Sequence, residues 1–235
     1  MKNEEIDDVL KMASQAPQDL DPRLLERIGH SIKPSLHPVR PPRPVSLMAA
    51  GLVLVCAAIS LSGAARAGFF GVAKMNLLER SLVFPALGLL ACLAAVSLVH
   101  QMIPASRVRI SPDALLALSS GAMLAVFGEL FRDYHTEHFF SAGIACLLTG
   151  LLYAIPAGLL SWLMLRRGFA VNLASAGLVA GTLGGLAGVG MLELHCPNFQ
   201  AAHILVWHTA VVPVSAALGA LLGWELRVRA LSDDR

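Results

Sequence analysis

The stretch AGLVAGTLGGLAGVG, residues 176–190, carries glycines at four-residue spacing and has no charged side chain. Its overlapping G-x-x-x-G pairs are Gly177/Gly181, Gly181/Gly185 and Gly184/Gly188, and the last apolar stretch of the chain has another at Gly219/Gly223. Small residues four apart form a smooth strip on a helix and let a second helix approach closely inside a membrane. The pattern therefore predicts a membrane helix that packs tightly within a bundle, with homodimerisation as the alternative use of the strip.

The composition of the whole chain also indicates a bilayer as its solvent. Of 235 residues, 56% are hydrophobic and 14% are charged, which is unlike a soluble domain. Six apolar stretches are long enough to cross a hydrocarbon core, which takes roughly 20 helical residues. We place them at about 46–65, 81–101, 114–131, 139–165, 168–192 and 204–224. The predicted fold class is all-α, a polytopic bundle of six transmembrane helices spanning residues 45–235.

The distribution of basic residues predicts how this bundle is oriented. Of the 18 Lys and Arg residues, fourteen fall on the side of the termini and four on the other side, namely Arg66, Lys74, Arg80 and Arg132. Cytoplasmic loops carry the excess of Lys and Arg, so both termini are predicted to be cytoplasmic. The net charge of +2 is too small to indicate direct binding of nucleic acid.

Residues 1–44 precede the first span and are predicted to form two short amphipathic helices and a linker. Their apolar stripes are Ile6, Val9 and Leu10 in the first helix and Leu24, Leu25, Ile28 and Ile32 in the second. Such short helices are marginal alone in water, and the proline-rich linker PSLHPVRPPRP, residues 34–44, is a semi-rigid spacer. A spacer holds the helices away from the bilayer. The segment therefore favours a protein partner with an apolar groove over the membrane surface, with the rest of the chain as a further alternative.

Several motifs, in this order along the chain, resemble those of the NrsF-like family. They are HPVRPPRPVSL before the first span, SAGIAC opening the fourth, RRG ending it, and LHCP, WH and ALGALLGW towards the end. The resemblance implies a six-helix anti-sigma factor of the bacterial inner membrane whose partner is an extracytoplasmic-function sigma factor. It further implies that the segment before Val45 sequesters the sigma factor. Here that segment is longer than the family's usual one, and His208 replaces an expected aromatic residue.

The same resemblance implies that two cysteines near the outer face are functional, and these match Cys146 and Cys196. The chain has no C-x-x-C pair, so any pairing has to be made by the fold. By the predicted topology both residues face the outer compartment, where an oxidising environment preserves a disulfide if the Cα atoms come within roughly 7 Å. Cys56 and Cys92 lie mid-span, where a thiol behaves as a small hydrophobe.

Histidines also collect on the predicted outer side and suggest a second kind of chemistry. His135 and His138 are three apart and would share a helix face, and His195 or Cys196 would complete a ligand set for zinc or a softer metal. The alternative is that these are ordinary polar residues of loops that leave a membrane. The sequence leaves both interpretations open.

The function predicted from these observations is a membrane-embedded anti-sigma factor that releases its sigma factor when metal or oxidant acts on Cys146 and Cys196. The chain has no G-x-S-x-G, H-E-x-x-H or Walker A motif, so we expect no enzymatic activity and no cofactor. The alternative is a small membrane transporter or half-transporter, although the broken helices and buried charges typical of transporters are scarce. A thiol oxidoreductase would require a paired-cysteine motif such as C-x-x-C, which the chain lacks.

Overall fold

The computed structural model describes residues 44–103, 106, 110–136, 138–165 and 172–233, together with residues 23, 26, 27 and 30. The chain divides into two units, Met1–Pro42 and Arg43–Arg235. In the first unit Arg23, Glu26, Arg27 and His30 are helical and exposed. The apolar stripes predicted for this segment lie outside the described residues.

The second unit is built from helices. In chain order they are α1 (Val45–Ala67), α2 (Phe70–Lys74), α3 (Leu77–Met102), α4 (Pro112–Leu130), α5 (Phe139–Leu165), α6 (Leu173–His195), α7 (Ala201–His203), a π-helical turn (Ile204–His208) and α8 (Thr209–Asp233). Six helices are long and apolar enough to cross a membrane, the last of them running from Ala201 to Val228 through the π-helical turn. No strand occurs among the described residues, which contain one isolated bridge between Asp133 and Gln200. The prediction of an all-α bundle of six membrane helices is confirmed.

Capping side chains, and not only the apolar runs, set where these helices begin. The Asn76 side chain accepts a hydrogen bond from the Glu79 amide, and the Glu79 carboxylate accepts one from the Asn76 amide. This capping box satisfies two amides of the first turn. Helix α3 therefore begins at Leu77 and includes Glu79 and Arg80, four residues before the start of the predicted span.

Helix α6 is the centre of the bundle. Over its most apolar window, 83% of the residues are buried, against 22–44% for the other five membrane helices. A Cβ atom added at Gly177 or Gly181 would meet the backbone of α8, and one added at Gly184 or Gly188 would meet the backbone of α5. The glycine strip of α6 therefore packs against two helices of the same chain, α8 and α5. Their backbones lie where side chains of α6 would otherwise be.

The opposite side of α6 packs on α1 and α3, and a hydrogen bond reinforces the contact. The Ser60 hydroxyl donates to the Ala187 carbonyl over 2.6 Å within the buried interface. Polar contacts of this kind tie membrane helices together where lipid offers no hydrophobic drive. Helix α6 is thus held on several sides, and its C-terminal end is placed by packing along its whole length.

The glycine contacts also decide which residues meet at that end. Gly150 of α5 lies against Gly188 and Leu192 of α6, and Cys146 lies one helical turn before Gly150. Because α5 and α6 run in opposite directions at this contact, the turn before Gly150 approaches the residues that follow Leu192. The close helix packing predicted from the sequence thereby brings Cys146 to the C-terminal end of α6.

Candidate functional site

Two cysteines lie together where α5 and α6 meet. Cys146 is in the second turn of α5, and Cys196 caps the C-terminus of α6, its amide donating to the Leu192 carbonyl over 2.7 Å. Their Sγ atoms are 3.4 Å apart. Cys196 is buried and Cys146 is half-buried. The fold thus joins two thiols separated by 50 residues of sequence, at a distance from which modest movement would bring them to bonding range.

Two buried histidines complete a compact group with these thiols. His203 Nε2 lies 3.7 Å from Cys196 Sγ. One donor atom from each of Cys146, Cys196, His203 and His208 lies within 4.8 Å of the other three, and we call these four residues the thiol–imidazole cluster. The side chains of His203 and His208 are both enclosed, with residue exposures of 0% and 1%. Four soft or borderline ligand atoms therefore converge in a site in which all residues but the half-buried Cys146 are buried.

The π-helical turn Ile204–His208 is what aligns the two histidines. In an α-helix, residues five apart point about 140° away from each other. Here the Thr209 amide donates to the Ile204 carbonyl five residues earlier, and such i→i+5 bonding places residues five apart on the same side. The rings of His203 and His208 accordingly meet edge to face with centroids 5.2 Å apart. A local departure from α-helical geometry thus creates half of the cluster.

A buried carboxylate holds His208 in place. Glu193 Oε1 lies 2.7 Å from His208 Nδ1, and the two side chains are 0% and 1% exposed. Among the described residues, Glu193 is the one buried carboxylate. Three nearby atoms, Glu193 Oε2, His203 Nδ1 and His208 Nε2, have no hydrogen-bond partner in the protein. Buried polar atoms are normally paired, so this concentration of unpaired atoms indicates a site prepared for chemistry or for a ligand.

The surroundings of Cys196 favour its thiolate. The hydrogen bond with the Cys146 thiol lowers the pKa of Cys196, and His203 and His208 act in the same direction, against the opposing effect of burial. A thiolate is both the nucleophilic and the metal-binding form of cysteine. These contacts favour the thiolate on Cys196 over that on Cys146.

The segment that follows Cys196 is clamped from two sides. Lys74 of α2 donates to the Pro197 carbonyl over 3.2 Å, and a Cβ atom at Gly71 would meet the Glu193 and Cys196 backbones. On the other side, Phe199 stacks on Phe131 with centroids 5.4 Å apart. The connection between α6 and α7 thus closes this end of the bundle over the cluster.

Comparison with known proteins places this arrangement in a family. Residues 33–227 match the family model NrsF, described as negative regulator of sigma F. The chain belongs to the NrsF family. It is thereby a member of a family of negative regulators of a sigma factor, as its motifs predicted. No curated protein and no solved structure matches the chain.

The NrsF match covers the membrane helices, the last of them up to residue 227, and the whole thiol–imidazole cluster, and it begins after the predicted N-terminal stripes. All the stripe residues precede the first matched residue, 33; they are Ile6, Val9, Leu10, Leu24, Leu25, Ile28 and Ile32. The membrane domain is therefore what this chain shares with the family.

The histidines proposed from sequence as metal ligands lie elsewhere at the same end of the bundle. His195 Nδ1 donates to the Gly68 carbonyl over 3.0 Å, and His135 pairs with Asp133, whose pKa is lowered mainly by hydrogen bonding from His135. His138 precedes α5 with a left-handed φ of 55°, and His135 is not helical. The expectation that His135 and His138 share a helix face is therefore wrong. Of the four proposed ligands, Cys196 is the one that belongs to the cluster.

The sequence analysis missed His203, His208 and Glu193 as site residues. Regular α-helical spacing would separate the two histidines, and no motif in the sequence marks Glu193. One signal was present. His208 occupies a position where the NrsF pattern led us to expect an aromatic residue, and the structure gives that departure a buried partner in Glu193.

The Glu193–His208 pair leads to a prediction about stability. Glu193→Gln keeps the shape and an acceptor oxygen but removes the charge that strengthens the bond to His208. We expect the free energy of unfolding to fall by about 1–3 kcal/mol, measured by thermal unfolding of the purified protein in detergent. Glu129→Gln is the matched control, because Glu129 makes an exposed ion pair with Arg132 and such pairs contribute little. Equal stability of the two variants would contradict a structural role for the buried pair.

Proposed function

We propose that this protein is an anti-sigma factor of the bacterial inner membrane that sequesters an extracytoplasmic-function sigma factor through residues 1–44. An envelope signal acting on Cys146 and Cys196 would release the sigma factor. The observation that carries the proposal is the NrsF match over residues 33–227, which identifies a family of negative regulators. The two thiols at 3.4 Å supply a place where a signal can act on the membrane domain.

The charge distribution supports cytoplasmic termini and an outward-facing cluster. The helix ends and connections at the cluster end carry Arg66, Lys74, Arg80 and Arg132. The other fourteen Lys and Arg residues belong to the termini and to the opposite end of the bundle. Excess Lys and Arg remain on the cytoplasmic side during insertion. In this orientation the cysteines face the periplasm and the N-terminal segment faces the sigma factor.

The described residues of the N-terminal segment agree with an amphipathic helix. Arg23, Glu26, Arg27 and His30 are helical and exposed. The last three lie three, four and seven residues after Arg23, so all four are on one helix face. On a helical wheel drawn from the sequence, the predicted stripe of Leu24, Leu25, Ile28 and Ile32 falls on the other face. A helix with one polar and one apolar face is suited to a hydrophobic groove of a partner protein.

Oxidation of the cysteine pair is one route by which a signal would act. A peroxide accepts two electrons from the two thiols, a sulfur–sulfur bond forms, and the thiol protons leave with the oxygens as an alcohol and water. The sulfur atoms must approach from 3.4 Å to about 2.05 Å. Because Cys146 is on α5 and Cys196 is fixed to the end of α6, we expect the new bond to couple the positions of the two helices. Release of the sigma factor requires that this coupling biases a two-state element.

The sigma-binding role is tested in the full-length protein by placing charge on the apolar stripe. Leu24→Asp combined with Ile28→Asp removes two anchors worth about 1.5–3 kcal/mol each, so binding should weaken by more than about 100-fold. A reporter dependent on the partner sigma factor should then be active without any stress. Membrane levels of each variant are measured in parallel by immunoblotting.

The control for this experiment is Arg27→Asp, which adds charge on the exposed polar face of the same helix and should leave repression unchanged. If the stripe variant represses like the wild type, residues 1–44 do not hold the sigma factor. A transporter, the alternative class, would show substrate uptake in proteoliposomes and no effect on the reporter. No enzymatic activity is proposed for a member of this regulator family.

A further inference from the structure

We infer that the thiol–imidazole cluster is a tetrahedral binding site for a divalent cation of the zinc class, with Cys146, Cys196, His203 and His208 as ligands. Glu193 acts as the outer partner that orients His208. The binding site is inferred from geometry alone, and its consequence for regulation rests on the proposed function.

The distances within the cluster fit this coordination. Zinc binds cysteine sulfur at about 2.3 Å and histidine nitrogen at about 2.0–2.1 Å. A tetrahedron with such bonds separates two sulfurs by about 3.8 Å, and a sulfur from a nitrogen by about 3.5 Å. The observed separations are 3.4 Å between the two sulfurs and 3.7 Å between Cys196 Sγ and His203 Nε2. These two separations are close to those that a bound cation would require, and all four ligand atoms lie within 4.8 Å of one another.

The orientation of His208 is that of a metal ligand with a supporting carboxylate. Its Nδ1 atom lies 2.7 Å from Glu193 Oε1, which leaves Nε2 as the atom available for coordination. That Nε2 atom is buried and has no hydrogen-bond partner in the protein. Histidine ligands usually donate their second ring N–H to a carboxylate or carbonyl, which fixes the ring and its tautomer. Glu193 supplies this support before any cation binds.

The donor set selects the class of cation. Calcium and magnesium require oxygen ligands, whereas two thiolates and two imidazoles in tetrahedral geometry suit zinc and related ions. Two thiolates also neutralise a divalent charge, which lowers the cost of placing it among buried side chains. The cluster is therefore a site for Zn²⁺, with Co²⁺ and Cd²⁺ as spectroscopic substitutes.

Coordination would join three separate parts of the bundle. Cys146 belongs to α5 and Cys196 ends α6. His203 immediately precedes the π-helical turn that leads into α8, and His208 is its last residue. A bound cation fixes these elements relative to one another and occupies both thiols, which protects them from oxidation. Gain or loss of the cation would then shift the same helices that the proposed release mechanism uses.

The experiment is a metal analysis of the full-length protein purified in nanodiscs, without any sigma factor. The protein is equilibrated with Zn²⁺, freed of weakly held metal and analysed by inductively coupled plasma mass spectrometry. We expect one zinc per chain for the wild type. Zinc is lost in Cys146→Ser and in His208→Ala, and Glu193→Gln binds zinc about 10–100-fold more weakly. Size-exclusion profiles and circular dichroism show whether each variant is folded. If another variant is misfolded, the conservative replacement Cys146→Ser is sufficient to decide the test.

Two control variants make the assignment specific. His135→Ala removes an exposed histidine at the same end of the bundle, and Cys92→Ser removes an exposed thiol of α3, so both should keep wild-type zinc content. Co²⁺ bound to the wild type should give the intense visible bands of tetrahedral coordination together with sulfur charge transfer. Absence of zinc from the wild type, zinc retention by Cys146→Ser, zinc loss in His135→Ala, or an octahedral Co²⁺ spectrum would each overturn the inference. None of these results depends on sigma binding, so the metal site and the anti-sigma role can fail independently.

Discussion

Gly181→Leu is expected to prevent stable folding of the membrane bundle. A Cβ atom at residue 181 would lie 2.8 Å from Ala216 Cα and the same distance from the Ser215 carbonyl carbon. Both are backbone atoms of α8, so no side-chain rotation can relieve the overlap. Overpacking a core typically costs about 1–3 kcal/mol. Displacing a whole helix from the central helix of the bundle should exceed that range.

The loss of stable folding is measured as a decrease in the thermal unfolding midpoint and in the monodisperse fraction of the protein purified in detergent. Gly121→Leu is the control, because a Cβ atom added there meets nothing within 4 Å. Leucine is also a better helix former than glycine by nearly 1 kcal/mol, so this variant should be at least as stable as the wild type. If Gly181→Leu behaves like Gly121→Leu, the close packing of α6 on α8 is not what holds the bundle together.

The glycine strip shows why the fold was predictable from sequence. In a membrane a long helix must satisfy its own backbone hydrogen bonds, so length and composition define the spans. The spacing of Gly177, Gly181, Gly184 and Gly188 then marks the faces on which neighbours approach. The residues at which the helices begin were less predictable from the sequence. Helix α3 begins at Leu77 because Asn76 and Glu79 cap each other, and a cap is a local polar interaction that an apolar run does not reveal.

The site was predictable only in part, and the reason is geometric. The meeting of Cys146 and Cys196 at one end of the bundle follows from topology, but their separation depends on how closely α5 and α6 pack at Gly150 and Gly188. The histidines depend on the π-helical turn, whose extra backbone residue moves His208 onto the side of His203. No periodicity in the sequence indicates that turn, so regular α-helical spacing led to the wrong group of histidines.

A second large effect is expected when both cysteines are replaced, namely loss of the response to envelope stress. Cys146→Ser combined with Cys196→Ser should abolish induction of the sigma-dependent reporter by peroxide and by excess zinc or cadmium, while repression without stress is retained. Serine keeps the shape of cysteine, so the bundle and the N-terminal segment are preserved. It forms no disulfide, and it lacks the thiolate that soft cations require. The readout is reporter activity before and after each stress.

Cys92→Ser is the matched control, since its thiol is exposed on α3 and its loss should leave every response intact. A double serine variant that still responds to both stresses would remove the pair from the mechanism. His203→Ala separates the two stimuli, because it removes one ligand of the thiol–imidazole cluster and leaves both sulfur atoms in place. If metal binding and oxidation are distinct inputs, this variant loses the response to zinc and cadmium and keeps the response to peroxide. Loss of both responses would mean that the histidine is required for thiol oxidation as well, through its contact with Cys196 at 3.7 Å.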